Sequence, residues 1–256
     1  MEGAAFTRAV VRRPARSFAR GLTTANLGRP DYDRMAAQHE AYVRALQSLG
    51  LRVTVLDSLE DYPDAHFVED TAVVLPGVAV VTRPGASERR GEERAMAAVL
   101  TDYKRITAIE APGTLDGGDV LLAGNRAFVG LSARTNEEGA RQLGEILSAE
   151  GYEWHAVPVG EGLHLKSSAN HLGGRALVLT RTFASLDLFG GFDLVVLDDE
   201  DGYAANTLWI NGSLLTPSGF PRARRQFEGL GLPILELEMS EARKMDGGLT
   251  CLSLRF

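Results

Sequence analysis

Lysine is scarce in this chain: of 27 Lys+Arg residues only Lys104, Lys166 and Lys244 are lysine, a skew toward arginine that reads as coding bias. Cysteine is rarer still. The single Cys251 cannot form an intramolecular disulfide, so nothing asks for an oxidising compartment and the reduced cytoplasm is the expected setting. No apolar run approaches the roughly 18 residues that a bilayer span requires. The best candidate, Val73 to Val81, is broken by Pro76 and Gly77, so no membrane partner is expected. There is no Gly-x-Gly-x-x-Gly after a strand, no P-loop and no zinc-ligand spacing, which leaves nucleotide cofactors and zinc hydrolysis without support. Positive charge is also in deficit, 27 basic against 34 acidic residues for a net −7. That balance speaks against a nucleic-acid partner, whose phosphates need a concentrated cationic face. It suits a cationic small molecule better.

What is present describes an ordinary globular protein: 256 residues, 45% apolar and 24% charged, with 28 Gly against 10 Pro, as in an α/β chain rich in tight turns. Arg8, Arg12, Arg13, Arg16 and Arg20 give the first twenty residues a transit-peptide look. Thr7 to Arg13 nevertheless alternates and branches like a strand, which assigns this segment to the fold.

A repeat organises the rest. "TAVVLPGVAVVTRPG" predicts a hairpin about Pro76-Gly77, Ser87 to Tyr103 a helix, and "RITAIE" a strand, together one ββαβ unit. A second unit turns at Gly124-Asn125, runs a helix from about Asn136 to Glu150 with Gly151 as its stop, and ends in "EWHAVPV". The third is degenerate, with a Gly173-Gly174 turn, a short Phe183 to Phe189 segment and "DLVVLD". In the fourth, Asn211-Gly212 is a strong hairpin turn, followed by a helix over Pro221 to Gly229 and "PILELEM". The fifth is split between the ends of the chain: "TCLSLRF" pairs with "TRAVVRRP", then come the helix Tyr32 to Gly50 and the strand "LRVTVL". Within that helix Met35, His39, Tyr42, Val43 and Leu46 share one face. Pairing the two ends closes a ring, so residues 1–256 read as a single domain.

Residues just before each unit's first strand should converge on the ring axis. These are Asp70, Asp116, His164, Asn206 and Cys251, separated by 46, 48, 42 and 45 residues. Cys251 is the candidate nucleophile, since a thiolate attacks carbon electrophiles well. His164 holds the matching position for a proton-transfer partner, whereas His39, His155 and His171 do not; His66, beside an acidic strand entry, is a weaker candidate. Asp116 in "TLDGGDV" is suited to orient the histidine, with Gly117 and Gly118 permitting close backbone approach. Glu69, Asp70 and Asp246 are carboxylates able to accept the paired N–H donors of a guanidinium or amidinium. They could also ligate a metal, but no ligand cluster or loop spacing accompanies them, so no metal is expected. A thiol, a histidine and several carboxylates together describe attack on a positively charged electrophilic carbon.

"FVEDTAVV", "TRPGASERR", "TLDGGDVLLAG", "FVGLSARTNEEG", "VPVGEGLHLKSSAN" and "KMDGGLTC" resemble, in order and spacing, the dimethylarginine dimethylaminohydrolases of the guanidino-group-modifying (pentein) superfamily. The resemblance implies a five-bladed α/β propeller of ββαβ modules and a hydrolase that releases citrulline from Nω-methylated L-arginine without a cofactor. It implies that Cys251 is the nucleophile, His164 the general acid and base, and Asp116 the acid that orients it. Asp70 and Asp246, with Glu69 alongside, match the guanidinium-binding acids. Asp64 and the backbone of Leu22 match the α-amine site, Arg89 and Arg134 the α-carboxylate clamp, and Phe67 a pocket wall. Leu22 to Asp33 looks like the family's mobile lid, with Gly21 and Gly28 as hinges. Arginine deiminases carry His-x-Asp where this chain has His164-Leu165-Lys166, which favours the dimethylargininase branch; Met245, usually Ile or Val in the family, is a departure within the pocket. The alternatives are a related hydrolase of hydroxyarginine or arginine and, in another class, a non-catalytic propeller that binds a macromolecule. A homodimer is left open.

Overall fold

The computed structural model describes residues 5–160 and 162–256. Five three-stranded sheets form from β1 (Arg8–Arg12), α1 (Tyr32–Ser48), β2 (Arg52–Leu56), β3 (Ala72–Val74), β4 (Val78–Val81), α2 (Glu92–Leu100), β5 (Arg105–Ala108), β6 (Val120–Ala123), β7 (Arg126–Leu131), α3 (Glu137–Ala149) and β8 (Glu153–Pro158). They continue with β9 (Ala169–His171), β10 (Ala176–Thr180), α4 (Arg181–Ala184), β11 (Asp193–Leu197), β12 (Leu208–Ile210), β13 (Ser213–Pro217), α5 (Pro221–Glu228), β14 (Ile234–Leu237), α6 (Ser240–Arg243) and β15 (Leu254–Arg255). Each sheet repeats one pattern: an antiparallel pair, then a third strand added parallel to the middle one, as in β3-β4-β5, β6-β7-β8, β9-β10-β11 and β12-β13-β14. The fifth sheet is β15-β1-β2, with Val10 opposite Leu254, so the two ends of the chain share one blade. This is the ring of ββαβ modules expected from the repeat, and the α/β propeller that the resemblance implies.

Local chemistry accounts for the element boundaries. Asp31 and Asn136 cap α1 and α3 by accepting the N–H groups of Arg34 and Gly139, satisfying donors that a helix start otherwise leaves open. The hairpin between β12 and β13 turns on Asn211 (φ 48°) and Gly212 (φ 86°), the left-handed pair that matches strand twist. One anticipated helix is interrupted. Ser87–Arg89 forms a single 3₁₀ turn and α2 begins only at Glu92, because Gly91 has φ +119° and a Cβ there would lie 2.3 Å from the Tyr62 hydroxyl. "TCLSLRF" is likewise not strand throughout: Thr250–Leu252 is a 3₁₀ turn and only Leu254–Arg255 pairs. The third blade's helix is the short α4 rather than Phe183 to Phe189.

The core is divided into five apolar clusters. One packs α1 side chains Met35, Tyr42 and Leu46 against strands of the split blade and the segment up to Leu252. Behind it lie two buried histidines. His66 stacks on Phe67 with ring centroids 4.0 Å apart, and the side-chain nitrogens of His66 and Nε2 of His39 meet no partner among the described residues. Burial, then the nearby Arg13, lowers the pKa of His39 to about 4; burial, then His39 and Arg89, lowers that of His66 to about 3. Both therefore fold neutral. Their contribution to stability is complete above the unfolded value of 6.5 and is lost as pH falls through about 4 and about 3. The urea midpoint followed by circular dichroism is expected to drop between about pH 7 and about pH 4.5, and to drop less in a His66→Phe variant. An equal drop in both proteins would contradict this account.

Candidate active site

Five 3₁₀ turns, each entering a blade's first strand, meet in succession around the axis. Val68–Thr71 touches Gly117–Asp119, which touches Leu165–Ser167, which touches Asp199–Ala205, and Thr250–Leu252 touches Val68–Thr71. Asn206 closes the circuit. Its Oδ1 accepts the Thr250 N–H at 2.9 Å, and its Nδ2 donates to Thr250 Oγ1 and to the Lys166 carbonyl, both at 3.0 Å. The one member of the five convergent positions without obvious chemistry thus fastens the turn that carries Cys251.

Close approach at this axis needs glycine. Gly118 donates its N–H to Asp70 Oδ1 at 2.9 Å, and a Cβ there would come within 2.7 Å of His164 Nδ1. Gly117 is tighter, its would-be Cβ 2.0 Å from the Glu69 carbonyl. The glycines of "TLDGGDV" therefore serve approach to neighbouring blades, and through it they bring Asp70, Asp116 and His164 together.

His164 Nε2 lies 3.1 Å from Asp116 Oδ2, and Nδ1 lies 4.0 Å from Asp70 Oδ1. Asp116 Oδ1 accepts the Gly85 N–H at 3.0 Å. Burial alone would lower the pKa of His164, but Asp70, the hydrogen bond to Asp116 and the charges of Asp119 and Asp116 prevail and raise it to about 9. Burial of Asp116 is in turn outweighed by the imidazolium, by Arg89 and by the Gly85 N–H, which keep its carboxyl below the usual range. Burial, then Glu69 and Asp70, pushes the Cys251 thiol up to about 12. At neutral pH the resting pair is a thiol and an imidazolium.

A narrow cleft opens onto this chemistry. It is lined by Cys251, His164, Asp70, Asp246, Asp64 and Arg134, with Leu22, Phe67, Arg89 and Met245 among its walls, all anticipated from the sequence, and by Leu163 and Gly247, which were not. Asp116 stands behind His164, wholly buried. Glu69, expected beside the guanidinium site, does not line the cleft: its Oε1 is held by Lys166 Nζ at 2.7 Å and Arg255 Nη2 at 2.9 Å. His66 lies behind Phe67, also outside the lining. Arg89 is largely committed within the protein, bonding Asp70 Oδ2 at 2.6 Å, Glu92 through Nε and Nη2, and the Phe67 carbonyl. Arg134, by contrast, makes no salt bridge among the described residues. Asp64 accepts the Leu22 N–H at 2.9 Å; burial raises its pKa against that bond and against Arg89 and Arg134.

Asp246 holds a left-handed backbone (φ 58°), and its Oδ2 accepts the Thr24 N–H at 2.6 Å and both threonine hydroxyls, of Thr23 at 3.2 Å and Thr24 at 3.1 Å. The anticipated lid segment therefore rests on a cleft carboxylate. Asp70, Asp116 and His164 also present donor atoms within 4.8 Å of one another, a set able to hold a metal ion. Its donors come from three blades, at the convergent positions spaced 46 and 48 residues apart, and an imidazolium at His164 competes with a cation for the two carboxylates.

A family model described as N,N dimethylarginine dimethylhydrolase, eukaryotic, matches residues 30–181. The chain is 40% identical over 253 residues to the N(G),N(G)-dimethylarginine dimethylaminohydrolase (DDAH) of Pseudomonas aeruginosa, covering 98% of this chain and 100% of that protein. The chain belongs to the DDAH family. A second DDAH relative, from Streptomyces coelicolor, is 36% identical and covers 97% of this chain and 96% of its own. Among solved structures, a cysteine-to-serine variant of the Pseudomonas aeruginosa DDAH in complex with citrulline superposes with a TM-score of 0.97 at 40% identity, covering 99% of this chain and all of that one. The five-sheet architecture is thus the DDAH fold. No helix of the described residues is long and apolar enough to cross a membrane.

In the free DDAH-family protein, alkylation of Cys251 by iodoacetamide is expected to be slower at neutral pH than that of an unperturbed thiol and to accelerate as pH rises beyond about 9. An amidine-bearing alkylator, which brings its own cation to the carboxylates, should react faster at neutral pH. Equal neutral-pH rates for the two reagents, measured by mass spectrometry, would refute the electrostatic account.

Proposed function

We propose that this chain hydrolyses Nω-methylated L-arginine, asymmetric dimethylarginine or monomethylarginine, to L-citrulline and dimethylamine or methylamine. The observation that carries the reading is that Cys251, the His164–Asp116 pair and the carboxylates Asp70 and Asp246 all serve one cleft. A planar cation is the natural occupant of such carboxylates, and its ζ-carbon is the electrophile a thiolate requires.

The guanidinium is held by Asp70 and Asp246, and Asp64, the Leu22 backbone and Arg134 recognise the amino-acid end. Its positive charge offsets Glu69 and Asp70, so Cys251 releases its proton to solvent as the substrate arrives. Sγ then bonds to Cζ while the C=N electron pair moves onto nitrogen. His164, already an imidazolium, gives its proton to the departing methylated nitrogen; the C–N bond breaks, the amine leaves, and an S-alkylthiouronium remains on Cys251. Neutral His164 next takes a proton from water as its oxygen bonds to Cζ, and collapse of that adduct breaks the C–S bond as the hydroxyl proton passes to the departing sulfur, freeing citrulline and restoring the Cys251 thiol. No cofactor enters this scheme. The enzyme is read as cytoplasmic, where its only cysteine stays reduced.

Citrulline release from asymmetric dimethylarginine, monomethylarginine, hydroxyarginine and arginine, assayed in parallel with a Cys251→Ser control, tests the proposal. Turnover of the methylated substrates, abolished in the control, is expected. Turnover of hydroxyarginine or arginine alone would move the substrate, and full activity in the control would overturn the nucleophile. A second expectation follows from His164: kcat falls as pH rises through the His164 pKa of the substrate complex, which the bound cation sets below the free protein's value of about 9, because the leaving amine then loses its acid. A kcat unchanged well above that pH would remove His164 from the role.

A further inference from the structure

The His164–Asp116 pair joins two blades, and something must hold its halves in register. Asp119 does so. It is wholly buried and absent from the cleft lining, yet three donors end on it: the Leu165 N–H on Oδ1 at 2.9 Å, and the hydroxyls of Ser132 and Thr135 on Oδ2, each at 2.7 Å. Each donor leads to a residue of the site. Leu165 follows His164 in the chain. Thr135 Oγ1 accepts the Asp116 N–H at 3.1 Å. Ser132 Oγ accepts the N–H of Arg134 at 3.0 Å and that of Thr135 at 3.2 Å. The node is also enclosed: a Cβ at Gly130 would come within 2.7 Å of Asp119 Oδ1, so a side chain there has no room.

We propose, on the reading of the site given above, that Asp119 is a positioning residue of the reaction, a buried carboxyl group that ties His164, Asp116 and Arg134 into one rigid constellation. A reacting constellation displaced by about 1 Å loses on the order of a hundredfold in rate, so a shared anchor for three of its members has a direct catalytic consequence. The titratable and charged groups around His164 are Asp116 and Asp119 of its partner blade, Asp70, Glu69 and Arg89 from the turn Val68–Thr71 and its neighbours, Lys166 on its own turn, and Arg134, Asp246 and the Cys251 thiol across the cleft. Among them Asp119 is one of the carboxylates that favour the imidazolium.

The test uses the full chain with Asp119→Asn, Thr135→Val and Thr135→Ser, reading kcat for asymmetric dimethylarginine and, independently of turnover, the His164 titration by NMR. Asp119→Asn is expected to lower kcat at least about tenfold and to lower the His164 pKa. Thr135→Val should lower kcat in the same sense and Thr135→Ser should restore it, because the hydroxyl and not the methyl makes the link. Where Asp119→Asn does not fold, the Thr135 comparison decides alone. An Asp119→Asn protein with wild-type circular dichroism, kcat and His164 pKa, or Thr135→Val and Thr135→Ser variants that behave alike, would overturn the proposal. Should the wild-type chain release no citrulline from any guanidino substrate, the functional reading fails, while the His164 titration in the same variants still decides the role of Asp119.

Discussion

Gly118 donating its backbone N–H to the Asp70 carboxylate at 2.9 Å is a small contact on which much of the site rests, because it joins two blades where only the absence of a side chain allows them to meet. Once those backbones touch, Asp70 faces His164 from one side and Asp116 reaches it from the other. The same device recurs at "DGGLTC", where Asn206 receives Thr250 and a Cβ on Gly248 would lie 2.4 Å from Asn206 Oδ1. In both places a Gly-Gly pair ahead of a strand lets one blade's turn be bonded by the next. The propeller is held at its axis by such side-chain-to-backbone contacts, and the reactive groups sit at the points of contact.

That geometry concentrates carboxyl groups. Asp64, Asp70, Asp116, Asp119, Glu69 and Glu92 are all buried near the axis, answered by Arg89, Arg255, Lys166 and the imidazolium of His164. The two reactive groups respond in the same direction: the imidazole keeps its proton and the thiol keeps its own. Such a site is poised as an acid before it is poised as a nucleophile. A cation placed in the cleft would favour the thiolate, coupling its own charge to the ionisation of Cys251.

Much of this was legible in the sequence because it is carried by periodicity. Five ββαβ units, the pairing of the chain's two ends and the convergence of Asp70, Asp116, His164, Asn206 and Cys251 follow from repeats in strand, turn and helix signals. What escaped was set by contacts between blades. Gly91 breaks an apparent helix because Tyr62 lies against it, a contact between residues 29 apart in sequence. Glu69 is drawn away from the cleft by Arg255, 186 residues distant. Asp119 gives no local signal at all: beside Gly118 it looks like a turn former, and only the arrival of Ser132, Thr135 and Leu165 makes it a node.

Asp246 ties the segment from Leu22 to Asp33 to the wall of the cleft. Asp246 lines the cleft from a left-handed backbone, and the three donors of Thr23 and Thr24 all fall on Oδ2, none on Oδ1. At the far end of the same segment the Asp31 N–H bonds the buried Glu241 at 2.7 Å, and Lys244, beside Met245, bridges Glu241 and the Arg29 carbonyl. Both ends of the segment are therefore fastened to the stretch that leads from α6 to Asp246. A carboxylate held through one oxygen by Thr23 and Thr24 presents the other in a fixed direction, so the seating of residues 22–33 and the orientation of Asp246 are one conformational state.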